Sequence, residues 1–309
     1  MQQKYIYLIV GFLILFYSCK KKDRFTDTFT TGVIAVAIDE SFQPVMQQEI
    51  NVFEEIYPSA GIVPLFVDET EALNLFLKDS VRLAITTRPL SKAEIASFEA
   101  RKLYPKDIKI ATDGIALIVN RSNPDTLITV DQLRNILTGK LVTWQDVYGG
   151  EGADTIQIVF DHPSSSSIRY AIDSICRNEP LSPNLYAQKN NPSVVDYVSR
   201  TPNAVGIIGV SWVGNRNDTT ALSFVGNIRV MSVSASSVAT PSNSYKPYQA
   251  YVALHQYPLI RNIYALLNDP RGALPSGFYT FLTSDRGQRI ILKSGIVPAT
   301  QPIRIVNMQ

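Results

Sequence analysis

From residue 32 onward, short apolar runs alternate with stretches whose apolar positions recur every three and four residues. Residues 32–38 (GVIAVAI) have the β-rich character of a strand. Phe42, Val45, Met46, Ile50, Phe53 and Ile56 then fall on one face of a helix. That helix must end before Pro58, because proline disfavours the helical conformation in the residue before it. Residues 62–67 and 81–86 predict two more strands, with a short helix around Leu73, Leu75, Phe76 and Leu77 between them. Ser91 and Glu94 have capping-box spacing and predict the start of the next helix. Residues 109–119 hold two apolar runs on either side of Asp113 and Gly114. Repeated β–α units of this kind predict a mostly parallel sheet with helices on both faces.

A second series follows. Thr129 and Gln132 read as another capping box, Leu133, Ile136 and Leu137 as a helix face, and Gly139 as the residue that ends the helix. Residues 156–160 predict a strand. Ile168, Ala171, Ile172 and Ile175 mark a helix that begins just after a run of serines, and Val194, Val195 and Val198 mark another. Residues 204–210 (AVGIIGV) and 251–254 predict strands, 232–244 a loop, and 260–267 and 285–293 two closing helices.

With 309 residues, the chain suits two domains. Its composition is 45% hydrophobic and 18% charged, which excludes a disordered or collagen-like chain. A net charge of +2 gives no global attraction to nucleic acid or anionic lipid. Two cysteines and two histidines exclude a disulfide-dense scaffold and leave little material for a zinc site. Cys176, at helical spacing among apolar residues, reads as a core thiol.

The N-terminus has its own pattern. Lys4 precedes 13 uncharged residues, 5–17. As a helix these span about 20 Å, short of the roughly 30 Å hydrocarbon core. Residues 1–18 therefore read as a signal peptide. The run ends at Ser18 and Cys19, which resemble a bacterial lipobox, although Phe16 and Tyr17 are bulky for one. The resemblance implies that Cys19 is lipidated and that residues 19–31, polar and aperiodic, tether the folded part to a membrane. The alternative is a retained apolar anchor.

Three turns between a strand and a helix could carry chemistry, because helix starts expose N–H groups that suit an anion. They are residues 39–42, with Ser41 and Phe42; 86–89, with Thr87 and Arg88; and 161–169, with Asp161, Ser165, Ser166 and Ser167. Each has a plain structural alternative. Ser41 and the last serine suit helix caps, and Arg88 suits a surface ion pair. Together they present hydroxyl and guanidinium donors, which a dehydrated oxyanion requires. His162 beside the serines makes a Ser/His catalytic pair conceivable, but neighbours in sequence rarely have that geometry, and the chain lacks G-x-S-x-G, H-E-x-x-H and Walker A patterns.

Several segments resemble the phosphate-binding subunit of bacterial phosphate ABC importers, a type II periplasmic binding protein. They are 86–91 (TTRPLS), 113–120 with Asn123 and Pro124, 136–140 (ILTGK) with Thr143 and Trp144, the 165–167 serines, 204–209 (AVGIIG), and 278–282 (FYTFL) leading to Gly287 and Gln288. The resemblance implies an α/β protein with two domains, joined by a two-segment hinge, around a ligand cleft. The domains would be 32–113 plus 251–309, and 114–250. It implies that Ser41, Phe42, Ser165, Ser166 and Ser167 bind phosphate, with Thr87 and Arg88 contributing. The family places an acid in the turn after the third strand and an arginine before the serine loop. Here Arg88 and Asp161 stand at about those places, so Asp161, or failing it Asp113, is expected to accept the ligand's proton. The resemblance further implies a monomeric, non-enzymatic protein without cofactor, on the outer face of a bacterial membrane. It would deliver phosphate to a permease and an ATPase. Another oxyanion, or a sensing or surface role without transport, are the alternatives.

Overall fold

The computed structural model describes residues 27–149, 154–214 and 223–302. The N-terminal signal, Cys19 and most of the tether lie outside the described residues.

The first series builds as the periodicity predicts. Strand β1 (Gly32–Asp39) ends in a 3-10 turn, Glu40–Phe42. Helix α1 (Gln43–Ile56) follows, with proline in its first turn, where the missing N–H costs no bond. It buries Val45, Met46, Ile50 and Phe53. Next come β2 (Ala60–Val67), α2 (Glu69–Leu77) capped by the Asp68 side chain, β3 (Leu83–Thr86), and α3 (Lys92–Glu99) with the expected capping box. β1 pairs parallel with both β2 and β3.

The two apolar runs around Asp113 form one 15-residue strand, β4 (Lys106–Asn120). Beyond it lie β5 (Leu127–Thr129), α4 (Val130–Leu137), α5 (Trp144–Tyr148), β6 (Gln157–Phe160) and α6 (Ser166–Tyr170). A wider π turn, Ala171–Ile175, extends α6. Then come β7 (Leu185–Ala187), α7 (Asn191–Arg200), β8 (Ala204–Gly209), β9 (Ile228–Val230), β10 (Ser232–Ser234), α8 (Gln249–Ala253) and β11 (Ile260–Leu267). The described chain closes with α9 (Leu274–Thr283), α10 (Asp285–Lys293) and β12 (Val297–Pro298).

The main sheet has the order β2-β1-β3-β11-β4-β8-β6-β7, with β9 and β12 also on β4. It is less parallel than expected. β1, β2 and β3 are parallel, as are β6, β7 and β8, but β11 is antiparallel to β3 and β4, and β4 to β8. β4 carries the chain across: Lys106–Gly114 pairs with β11 and Ile115–Val119 with β8.

Three stretches differ from the sequence reading, the first being Ser232–Ser234, read as part of a loop but formed as β10 by pairing with β5. Residues 260–267 form a central strand instead of a helix, because β3 and β4 flank them and satisfy their backbone on both edges. Residues 251–254 are mostly helical: in α8, Val252 tucks beneath β4 as part of the second core. Phe53 lies at the centre of the first core, edge-on to Tyr57, Phe278 and Phe281 at 4.9–5.2 Å. Burying each such ring stabilises the fold by roughly 1.5–3 kcal/mol. Cys176 is buried as expected, and burial pushes its thiol up to about 11, which leaves it unreactive.

Candidate functional site

The turns after β1 and β6 meet. Ser41 Oγ lies 3.3 Å from Ser166 Oγ, and both side chains are fully buried. Asp39, the last residue of β1, fixes the first turn by accepting from the Ser41 N–H at 3.0 Å. The Ser41 carbonyl accepts from Trp212 Nε1 at 2.9 Å and from the Ser211 hydroxyl at 3.3 Å. Arg261 reaches the same place from β11. Its Nη1 donates to Ser166 Oγ at 2.7 Å and its Nε to Asp113 Oδ2 at 3.0 Å. Its guanidinium carbon sits 4.9 Å from the Phe42 ring centre, a cation–π contact that helps hold it. Gly209 leaves the room this requires: a Cβ there would lie 3.1 Å from Arg261 Nη2.

The cluster is incomplete. Asp39 Oδ2, Asp113 Oδ1, Asp161 Oδ1, Asn191 Oδ1, Ser167 Oγ and Arg261 Nη2 are buried without a hydrogen-bond partner among the described residues. Nη2 lies 3.0 Å from Asp113 Oδ2 as an ion pair, without hydrogen-bond alignment. Each such atom costs about 1–3 kcal/mol, so six together mark a place that something else completes. Burial pushes Asp39 up to about 7, against the pull of Arg261. Burial also holds Asp113 above the ordinary carboxylate range, with Arg261 opposing it.

A second set of bonds also joins the early part of the chain to α6. Glu69, at the start of α2, accepts from the Thr87 N–H at 2.7 Å and the Thr87 hydroxyl at 2.5 Å. From α6, Arg169 Nε donates to Glu69 Oε2 at 2.6 Å, and its Nη2 donates to Glu69 Oε1 and to Thr87 Oγ1. Burial opposes ionisation of Glu69, but Arg169 and Thr87 together hold its carboxyl below the ordinary range. Nearby, the Thr70 hydroxyl donates to the Ser164 carbonyl, and His162 Nδ1 lies 3.7 Å from Asp68 Oδ2.

Most of the residues expected from the sequence come together. Ser41, Phe42 and Ser166 form the cluster, and Ser167 adds a free hydroxyl. Ser165 is occupied as the cap of α6, accepting from the Ile168 N–H. Asp161 lies at the same cleft through Asn191, whose side chain donates to Asp161 Oδ2 and whose backbone donates to Glu40. Thr87 lies in the Glu69–Arg169 group. Arg88 stands apart: its guanidinium is bound bidentately by Glu94 at 2.7 and 2.8 Å, back along its own chain. The sequence reading missed Arg261 and Glu69, and it gave no role to Asp39 and Arg169, which stand at the ends of two of its candidate turns. A lone arginine inside the apolar run 259–267 was the available signal for Arg261.

Among the described residues, no group of three or more His, Cys, Asp and Glu could hold a metal ion, and no helix is long and apolar enough to cross a membrane. Residues 26–286 match the PBP superfamily domain. The chain belongs to the PBP superfamily. Its two α/β lobes around a cleft are the fold of that superfamily's periplasmic binding proteins. Among superfamily members, the phosphate-binding protein PstS of Borreliella burgdorferi is 24% identical over 293 residues, covering 92% of this chain and 94% of that protein. A Clostridium perfringens substrate-binding protein solved with bound phosphate superposes with a TM-score of 0.72 at 20% identity, covering 87% of this chain and all of that one. An ABC-type phosphate transport receptor from Vibrio cholerae gives a TM-score of 0.66 at 21% identity, covering 86% of this chain and all of that one.

Proposed function

We propose that this protein captures inorganic phosphate between its two lobes and delivers it to an ABC importer. The observation that carries this reading is the enclosed cluster of Ser41, Ser166, Ser167 and Arg261 beside Asp39 and Asp113, with donors and acceptors both left unpaired. Hydroxyl and guanidinium donors suit the bare oxygens of a tetrahedral anion. Carboxylate acceptors suit its hydroxyl groups, which sulfate lacks. A site built to bond a ligand hydroxyl rejects an analogue without one by up to about 10⁴–10⁵-fold. The PstS relative and the phosphate-bound neighbour support the same ligand.

In this reading residues 32–113 with 251–309 form one moving unit and 114–250 the other. The chain would cross between them near Gly114 and near Tyr251. Ligand bridges the units and shifts an open–closed equilibrium toward closed. The protein works outside the cytoplasm as a monomer, held to the membrane by a lipid on Cys19, and breaks no bond. It meets a permease and its ATPase in the closed form.

Titration calorimetry of the purified protein with phosphate, sulfate and molybdate tests the reading. Phosphate should bind, with sulfate at least a hundredfold weaker. Equal binding of sulfate would overturn the phosphate assignment and leave a general oxyanion binder. Absence of heat with every anion would remove the function altogether.

A further inference from the structure

The turn that carries Ser41 and Phe42 is pinned on both sides of Ser41. The Ser41 N–H is fixed by Asp39, the last residue of β1. The Ser41 carbonyl accepts two donors from far along the chain, Trp212 Nε1 at 2.9 Å and the Ser211 hydroxyl at 3.3 Å. Both donors lie on the 3-10 turn Val210–Trp212 that follows β8. With residues 114–250 as the second moving unit, these bonds run from one unit to the other. A carbonyl oxygen has two lone pairs, so one oxygen can serve both. This oxygen belongs to the peptide unit that joins Ser41 to Phe42. The unit is planar, so holding its oxygen also holds the setting of the two residues. Ser41 Oγ meets Ser166 Oγ, and the Arg261 guanidinium lies over the Phe42 ring. Two contacts of the candidate site therefore depend on one peptide unit, and the opposite lobe supplies the donors that grip it.

We propose that Trp212 is a positioning residue of the phosphate cleft, with Ser211 as its second donor. On closure the two capture the Ser41 carbonyl and set the Ser41–Phe42 turn for the ligand. The inference rests on the phosphate reading and its two moving units, and adds how closing completes the site. In the open form water takes the place of both donors at the carbonyl. The Trp212 ring packs against the first core, so its N–H is presented by a rigid side chain that loses little freedom when the bond forms. Because the bonds form after the ligand has entered, they slow its release and leave association nearly unchanged.

The test is calorimetry and stopped-flow binding of inorganic phosphate to the full chain, as wild type, Trp212→Phe, Ser211→Ala and the double variant. Trp212→Phe keeps an aromatic ring and removes the N–H. It should weaken phosphate about three- to tenfold, almost wholly through faster release. Ser211→Ala alone should cost less than about threefold, since the indole still serves the oxygen. The double variant should lose at least about threefold more than the product of the single losses, because each donor backs the other at one acceptor. A second measurement uses the wild type, whose two tryptophans are Trp144 and Trp212. With nitrogen-15 in the indoles, phosphate should move one N–H signal downfield and slow its exchange with water. Trp144 stands on α5, stacked on Tyr148, so Trp144→Phe should keep that responsive signal. Indole signals that ignore phosphate would overturn the inference, even if Trp212→Phe fails to fold. So would loss of the responsive signal in Trp144→Phe, a Trp212→Phe protein with wild-type affinity and release, or a double variant equal to the product of its singles. Each of these leaves the phosphate reading standing. Absence of phosphate binding by the wild type would overturn both.

Discussion

Two arginines divide the binding question at the scale of single residues. Arg88 is saturated by Glu94, whose carboxyl its guanidinium holds down at about 2. Arg88→Ala should therefore change phosphate affinity by less than about twofold and stability by under about 1 kcal/mol. Arg261 has an unspent N–H inside the cluster. Arg261→Lys keeps the charge but loses the planar fork, and should weaken phosphate about ten- to a hundredfold. Calorimetry on the two variants checks both outcomes, and the reverse order would return Arg88 to the site. Glu49 poses a separate question. It is fully buried on α1, neither oxygen has a partner among the described residues, and burial pushes it up to about 9. A carboxyl raised in the fold keeps its proton there while the unfolded chain gives it up. Stability is thus retained below the unfolded value of 4.5 and lost as pH rises from there toward 9. At pH 7 the loss is about 3 kcal/mol. Glu49→Met should raise the melting temperature at pH 7 and change it little at pH 4; an unchanged melting temperature at pH 7 would show that Glu49 finds a compensating partner.

At the scale of elements, the start of α2 and the start of α6 hold the lobes together. Glu69 lies on one and Arg169 on the other, with Thr87 between them. Glu69→Gln keeps the shape and removes the charge, leaving Arg169 with Asp173. The open state should gain population, and phosphate should dissociate about five- to tenfold faster, because a partly buried charged pair is worth more than a surface one. Stopped-flow release measures this, and a wild-type rate would show that ligand alone closes the cleft. The element-level reading of the sequence was accurate at Ser91 and Thr129, the two capping boxes it named, and passed over the box of Thr143 and Asp146 that starts α5. Asp68, Ser91, Thr129 and Ser284 all accept from the first turn of their helices. It failed at 260–267, where the apolar spacing fits both periods and the choice depends on flanking strands distant in sequence.

For the whole molecule, attachment and folding are separate matters. Among the described residues no helix is long and apolar enough to cross a membrane, and Cys19, the proposed point of lipid attachment, lies outside them. Cys19→Ser should move the protein from the membrane to the soluble fraction without altering phosphate affinity. Retention in the membrane after a high-salt wash would mean that residues 5–17 stay as an anchor.

The sequence alone determined what is local. Alternating strands and helices, their caps, the buried Cys176 and the turns that offer donors depend on neighbours a few residues apart. It also brought forward Ser41, Phe42 and the serines of 165–167, because hydroxyls at helix starts are legible one turn at a time. Only the tertiary structure decided which charges face one another. Asp39, Asp113 and Arg261 stand on three strands and lie in one buried cluster because β11 returns beside β4 after more than a hundred intervening residues. A carboxylate looks the same in sequence whether water or a guanidinium surrounds it. Burial and an unpaired oxygen set Asp39 apart from an ordinary surface carboxylate, and both are products of how the sheet is closed.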